Sequence, residues 1–148
     1  MTAMFSKILA AVDESELSRS VVEAARSLAE SLGAKVVLLN VGELVPAALM
    51  YDQPPLGGIR VQEESAGALE RSGKKILREF SARLGQTAGK TRFEFGSPAP
   101  MICNVAREEA CDLIVLGSHG SNEFISALTG SVSHEVARRA HCPVLLVK

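Results

Sequence analysis

Asp112-Leu-Ile-Val-Leu-Gly117-Ser-His-Gly120, then a nine-residue spacer from Ser121 to Thr129, then Gly130-Ser131-Val132: the reading of this stretch decides the fold. The apolar run Leu113 to Leu116 stops abruptly at Gly117, as a buried strand does when it feeds a glycine-rich turn. Gly130 and Ser131 then open a helical pattern. Glycine has no Cβ, so its backbone can approach a ligand closely. A helix N-terminus leaves up to four N–H groups without intrahelical partners, and it carries positive dipole character. Two glycine turns and a helix start therefore form a candidate phosphate cradle from Gly117, Ser118, His119, Gly120, Gly130, Ser131 and Val132.

Outward from this stretch, the chain alternates short apolar runs with helical patterns. Lys7 to Val12 is apolar enough for a central strand, and Asp13-Glu14-Ser15 ends it. Glu16 to Leu32 has helix periodicity, with Val21, Val22, Ala25, Leu28, Ala29 and Leu32 in one stripe. Gly33 sits where a C-terminal cap glycine belongs. Lys35 to Val41 is a second strand, apolar on both faces, as expected when helices cover both sides of a parallel sheet.

Gly42 to about Val61 reads as a long loop, with Pro46, Pro54-Pro55 and Gly57-Gly58. Such loops act as lids or remain disordered excursions. Gln62 to Leu84 is a second helix, weakened in its first half by Gly67 and Gly73, with Gly85 as its cap. Thr91 to Phe95 alternates like an edge-proximal strand. Ala99 to Ala110 and Ser131 to Ala140 complete the helices, and Pro143 to Val147 is the last strand.

Five strands alternating with four helices predict an α/β fold, an open doubly wound five-stranded parallel sheet of order 3-2-1-4-5. That order sets strands one and four side by side at the switch point, where a crevice opens at their C-terminal ends. Asp13, Val41 and the glycine turns should meet there, although they lie far apart in sequence.

The 148 residues fit one domain spanning 1–148, and a 47% hydrophobic composition supplies its core. A formal net charge of −1 removes any global electrostatic case for nucleic acid or an anionic membrane surface. The chain holds no apolar run of ~18 residues and no signal-peptide pattern, so it reads as cytoplasmic. Cys103, Cys111 and Cys142, with no CxxC, fit reduced thiols.

These features resemble the universal stress protein family over essentially the whole chain. The resemblance rests on Ile8-Leu-Ala-Ala-Val-Asp13, Leu39-Asn40-Val41, Gly96-Ser97-Pro98-Ala99 and Cys142-Pro143-Val144-Leu145-Leu146-Val147. Above all it rests on the Gly-x2-Gly-x9-Gly-(Ser/Thr) pattern at Gly117, Gly120, Gly130 and Ser131. It implies a Rossmann-like, adenine nucleotide alpha hydrolase-like domain that binds ATP, ADP or AMP, with Mg2+ carried on the phosphates. Asp13 would then contact ribose or adenine, and Ala11 and Val41 would lie near adenine. Gly117 and Gly120 would follow ribose and phosphates, and Gly130, Ser131 and Val132 would hold phosphates.

Two positions depart from the family pattern. Ser121 stands where a basic residue is common, which leaves phosphate charge to backbone dipoles, Mg2+ or a distant residue such as Arg60. Glu14 stands where glycine is usual, and it would be strained if that backbone took a positive φ.

Simpler roles stand beside these. Asp13 could serve as the cap of the first helix, and His119 as a plain loop residue. His134, His141 and Cys142 have no recognisable zinc spacing, so no metal site is expected. Lys74-Lys75 and Arg138-Arg139 read as solvated helix faces. Val144 to Val147 is an apolar edge strand that invites pairing with its own copy, and the resemblance likewise implies a homodimer. The sequence assigns no catalytic residue. Slow ATP hydrolysis, or a nucleotide-independent scaffold contacting an unknown protein partner, are the competing functions, and the expected role is a regulatory or protective module in stress response.

Overall fold

The computed structural model describes residues 4–44, 58–119 and 131–148, with the side chains of 58–64 left aside. Its strands are β1 (Lys7–Ala11), β2 (Lys35–Gly42), β3 (Ala88–Phe95), β4 (Leu113–Gly117) and β5 (Val144–Val147). All neighbouring strands pair in parallel, in the order β3-β2-β1-β4-β5. The described helices are α1 (Leu17–Leu32), α2 (Gly58–Leu84), α3 (Pro98–Glu108) and α4 (Val132–Arg139).

The period of two along the central strands divides the core into two halves. Ile8, Ala10, Val36, Leu38 and Val115 point to the face covered by α1 and α2, where Val21, Val22, Ala25 and Leu77 meet them. Leu9, Val37, Leu39, Ile114 and Leu116 point to the face covered by α3 and α4, where Ile102, Val105 and Val136 wait. Strands buried on both faces read as continuous apolar runs for this reason. The covering helices change face between β1 and β4, which is the switch point.

α1 ends as its sequence predicts: Gly33 takes a left-handed conformation at φ 67, and its N–H donates to the Ala29 carbonyl. Gly85, at φ 57, closes α2 and opens a short 3-10 turn, Gly85–Thr87.

Two expectations change. The loop expected from Gly42 to Val61 is shorter, because Gly42 belongs to β2 and α2 begins at Gly58. The remainder of that stretch, residues 45–57, lies outside the described residues. Gly73 does more than weaken α2. A Cβ there would overlap both Asn40 Oδ1 and the Phe93 ring, so glycine is what lets α2 lie this close to β2 and β3.

At the N-terminal end of the sheet, Asp112 ties β1 to β4. Its carboxylate accepts from the Ser6 N–H at 2.9 Å, the Ser6 hydroxyl at 3.0 Å and the Lys7 N–H at 3.1 Å. Burial pushes this carboxyl up, but the hydrogen bonds from Ser6 and Lys7 together hold it below the usual carboxylate range.

Candidate functional site

The chain leaving β1 stays pinned to β2 for one more residue. Val12 donates its N–H to the Leu39 carbonyl at 2.9 Å, and buried Asn40 donates from Nδ2 to the Val12 carbonyl, also at 2.9 Å. That delivers Asp13 to the C-terminal edge of the sheet in a fixed direction. Asp13 Oδ1 accepts from the Ser15 N–H at 2.8 Å, from the Ser15 hydroxyl, and from the Ser18 hydroxyl at 2.9 Å. The Asp13 N–H donates to Ser18 Oγ at 2.8 Å. The carboxylate thus closes a turn on the residue two positions later. Capping α1 is not its role: the residue at the cap position is Glu16, which makes no side-chain capping bond. Glu14 carries no backbone strain, since Ala110 is the only non-glycine residue at positive φ among the described residues.

β4 reaches the same edge. A Cβ on Gly117 would stand 2.7 Å from Leu17 Cδ2 and 3.0 Å from the His119 carbonyl oxygen, so glycine lets α1 close over the strand end. Ser118 donates its N–H to the Val147 carbonyl at 2.8 Å and accepts at its own carbonyl from Ser133 Oγ at 3.0 Å. Ser131, with extended backbone, caps α4: its Oγ accepts from the His134 N–H at 3.0 Å and lies 3.1 Å from Ser133 Oγ. The turn after β4 and the start of α4 are therefore one hydrogen-bonded unit. Ser131 occupies the third N–H of the helix and leaves those of Val132 and Ser133 at its mouth.

α3 starts at this edge too, with different chemistry. Ser97 is its cap residue and makes no side-chain capping bond; Pro98 and Pro100 fill the first and third helical positions. Proline has no N–H, so this helix start offers an apolar ledge where α4 offers donors.

These ends surround a cleft of about 960 Å³, within the size range of small-molecule sites. Ala11, Asp13 and Val41 line it, as do Gly117, Ser118, His119, Ser131 and Val132. The structure thus brings together eight of the ten residues singled out from sequence. The other two, Gly120 and Gly130, lie outside the described residues, and so does the Arg60 side chain.

The cleft has walls that the sequence reading did not assign. Asn40 and Glu43 come from β2 and its exit, Ser97 to Pro100 from the start of α3, Leu69, Ser72, Gly73 and Ile76 from α2, and Glu135 from α4. The rule that brings β1 and β4 to this edge also brings the β3–α3 junction, so Ser97-Pro98 was findable. The α2 wall was not, because helix periodicity does not say which end of the sheet a helix overhangs.

The acidic lining residues are Asp13, Glu14, Glu43 and Glu135, and no lysine or arginine lines the cleft among the described residues. The cysteines stand away from it. Cys103, on α3, and Cys111, in the turn after it, are buried and Cys142 is half-buried, all as free thiols. Burial pushes the Cys111 thiol up to about 12.

The sequence model of the universal stress protein family matches residues 4–148. Universal stress protein YxiE of Bacillus subtilis is 36% identical, covering 98% of this chain and 100% of its own length. The structure of Methanocaldococcus jannaschii protein MJ0577 is similar at a TM-score of 0.80 and 25% identity, over 98% of this chain and 96% of that one. A universal stress protein solved in complex with cAMP shares the fold at a TM-score of 0.66 and 24% identity, over 97% and 96% of the two chains.

Proposed function

The chain belongs to the universal stress protein family, and from that membership we propose that its cleft binds an adenine nucleotide and that the protein acts as a homodimeric regulatory module. One observation carries this reading: a carboxylate-bearing turn, a proline ledge and a donor-rich helix start converge on one cleft at the switch point. Each suits a different part of a nucleotide. The N–H groups of Val132 and Ser133, with the motif glycines Gly117, Gly120 and Gly130, suit phosphates. The Asp13 carboxylate suits ribose hydroxyls or the adenine amino group, both donors. Ala11, Val41 and the Pro98 ledge suit the flat, apolar faces of adenine. A family neighbour of the same fold was solved with cAMP, an adenine nucleotide. ATP, ADP and AMP are the candidate ligands, with Mg2+ entering on the phosphates.

Thermal unfolding tests this. A nucleotide at 100 times its dissociation constant adds about 2.7 kcal/mol by mass action, or roughly 5–10 °C in Tm for a chain of this length. Ser118→Asp sets a carboxylate beside the phosphate positions. Since the Ser118 backbone makes the bonds to Val147 and Ser133, the variant should fold and lose the shift. No shift with any adenine nucleotide at millimolar concentration refutes the reading.

The homodimer rests on β5. This edge strand leaves Leu145 and Leu146 each 40% exposed, one on either face of the sheet. A second copy paired along it would cover both. Light scattering should give twice the chain mass, and Leu146→Lys should halve it; a native monomer at tens of micromolar refutes the pairing. Among the described residues no helix is long and apolar enough to cross a membrane, and three free thiols suit the reducing cytosol.

A further inference from the structure

β3 is an edge strand, and its outer side meets no other strand among the described residues. Thr91 to Phe95 pair with Leu38 to Gly42 in unbroken register, and the Gly96 N–H donates to the Gly42 carbonyl at 3.1 Å. Backbone groups alternate sides along such a strand. Arg92 and Glu94 therefore bond toward β2, as Gly96 does, while the N–H and C=O groups of Thr91, Phe93 and Phe95 point outward. No hydrogen bond reaches these outward groups among the described residues. Open edges are normally blunted by a bulge or by charge. The first half of β3 has both, a register shift between Ala88 and Thr91 and the exposed Lys90. From Thr91 onward the pairing is regular, and Arg92 is held on the α3 face by Glu94, Glu108 and Glu109.

α2 lies beside this edge and makes it basic. A groove of about 390 Å³ runs between them, with Leu77 and Phe93 as its floor and Lys74, Arg78, Ser81 and Thr91 as its rim. It shares no lining residue with the cleft. Lys74 and Arg78 stand one helical turn apart, on one face of α2. Lys74 is paired with Glu70 at 2.9 Å, an exposed pair that costs little to open. Arg78 makes no ion pair among the described residues. Arg71, Lys75 and Arg83 extend the stripe, against Glu79 alone, in a chain whose net charge is −1. We propose that the β3 edge and this groove dock an extended acidic segment of a partner protein as a sixth strand. The outward groups of Thr91, Phe93 and Phe95 supply the ladder, and alternate side chains supply the choice of partner. A strand ~4.8 Å beyond β3 presents every second side chain to the groove. There a carboxylate meets Lys74 and Arg78, and an aliphatic group covers the floor.

Amide hydrogen exchange on the native protein tests this, with a synthetic peptide Glu-Thr-Val-Thr-Glu-Thr-Val as probe and the same peptide with lysine for glutamate as control. Saturating probe should slow exchange at Thr91, Phe93 and Phe95 by roughly tenfold or more and leave Arg92, Glu94 and Gly96 unchanged, since those three already bond to β2. Affinity should fall as salt rises from about 0.05 M to 0.5 M. Lys74→Glu and Arg78→Glu, made together, should weaken binding by roughly tenfold. Thr91→Pro removes an outward donor while leaving the β2 ladder whole, and should weaken binding as well. A lysine peptide that binds as tightly, or no protection at millimolar probe, overturns the proposal. Outward amides already protected in the free protein would mean that the chain covers its own edge, and overturn it too. So would a dimer that persists in Leu146→Lys and is dissolved by Thr91→Pro, because a second copy would then hold the edge. None of these outcomes touches the nucleotide reading. Should a variant fail to fold, the exchange pattern and the salt series on the native protein still decide.

Discussion

Gly73→Ala should destabilise the protein, against the rule for helix interiors. Propensity alone favours alanine over glycine by about 1 kcal/mol, and α2 runs eleven residues past this point to Leu84. The packing opposes that gain. A Cβ at Gly73 would overlap Asn40 Oδ1 and two carbons of the Phe93 ring. Forcing a methyl into a filled site costs ~1–3 kcal/mol. Moving Asn40 also strains its bond to the Val12 carbonyl, and a buried polar group left without a partner costs ~1–3 kcal/mol more. Set against the propensity gain, the net loss is roughly 3 kcal/mol, or a fall of about 6–12 °C in Tm. Gly67→Ala is the control on the same helix. Its Cβ would meet only the far end of Arg71, at 3.2 Å, so it should stabilise by ~0.5–1 kcal/mol. Urea unfolding of both variants, with the slope m compared to confirm a like-for-like transition, gives the two signs. Gly73→Ala at or above native stability would refute the close approach of α2 to the sheet. Because Asn40 aims the chain into Asp13, the variant should also bind nucleotide more weakly.

Ser131→Ala removes the cap on His134 and should cost about 1 kcal/mol in urea unfolding, whereas Ser131→Asp keeps a capping oxygen and should fold normally yet lose nucleotide binding; equal stability of native and Ser131→Ala would show that the cap is idle. Asp112→Asn should cost about 1–2 kcal/mol at neutral pH, since charge-assisted bonds to Ser6 and Lys7 weaken. The Asp112 carboxyl is held below its ordinary value in the folded state, so its contribution is present above the unfolded-state pKa and is lost as pH falls through the folded one. The gap between native and Asp112→Asn should therefore close in acid, and a gap that widened there would contradict the assignment. Cys111, pushed up to about 12 by burial, should alkylate roughly a thousandfold more slowly at pH 8 in the native protein than in denaturant; comparable rates would mean that it is not enclosed.

The positions of α1, β4 and the last strand were legible because each carries a strong local signal. Val21 to Leu32 is an amphipathic stripe ended by Gly33, and Leu113 to Leu116 and Val144 to Val147 are apolar runs bounded by turn residues. The start of α2 was not legible. Gly57-Gly58 and the prolines before it read as loop, yet Gly58 begins the helix, which packs on β2 and β3, partners distant in sequence, through residues such as Ile76, Leu77, Phe80 and Leu84. Asp13 shows the same limit on a smaller scale: its place at the end of β1 could be read, but its engagement of Ser15 and Ser18 instead of the helix end could not.

The sequence by itself determined the alternation of strands and helices, the parallel sheet order and the expectation that Asp13, Val41 and the glycine turns share an edge. Periodicity and a topological rule suffice for these, since both act through local spacing and chain connectivity. Only the tertiary structure decided what that edge is made of. Glu43, Glu135, Pro98 and Gly73 come from four separate elements, and nothing in their own neighbourhoods marks them as parts of one cleft. The charge a ligand meets there, and how near α2 stands to the sheet, are sums over residues that only folding brings into range.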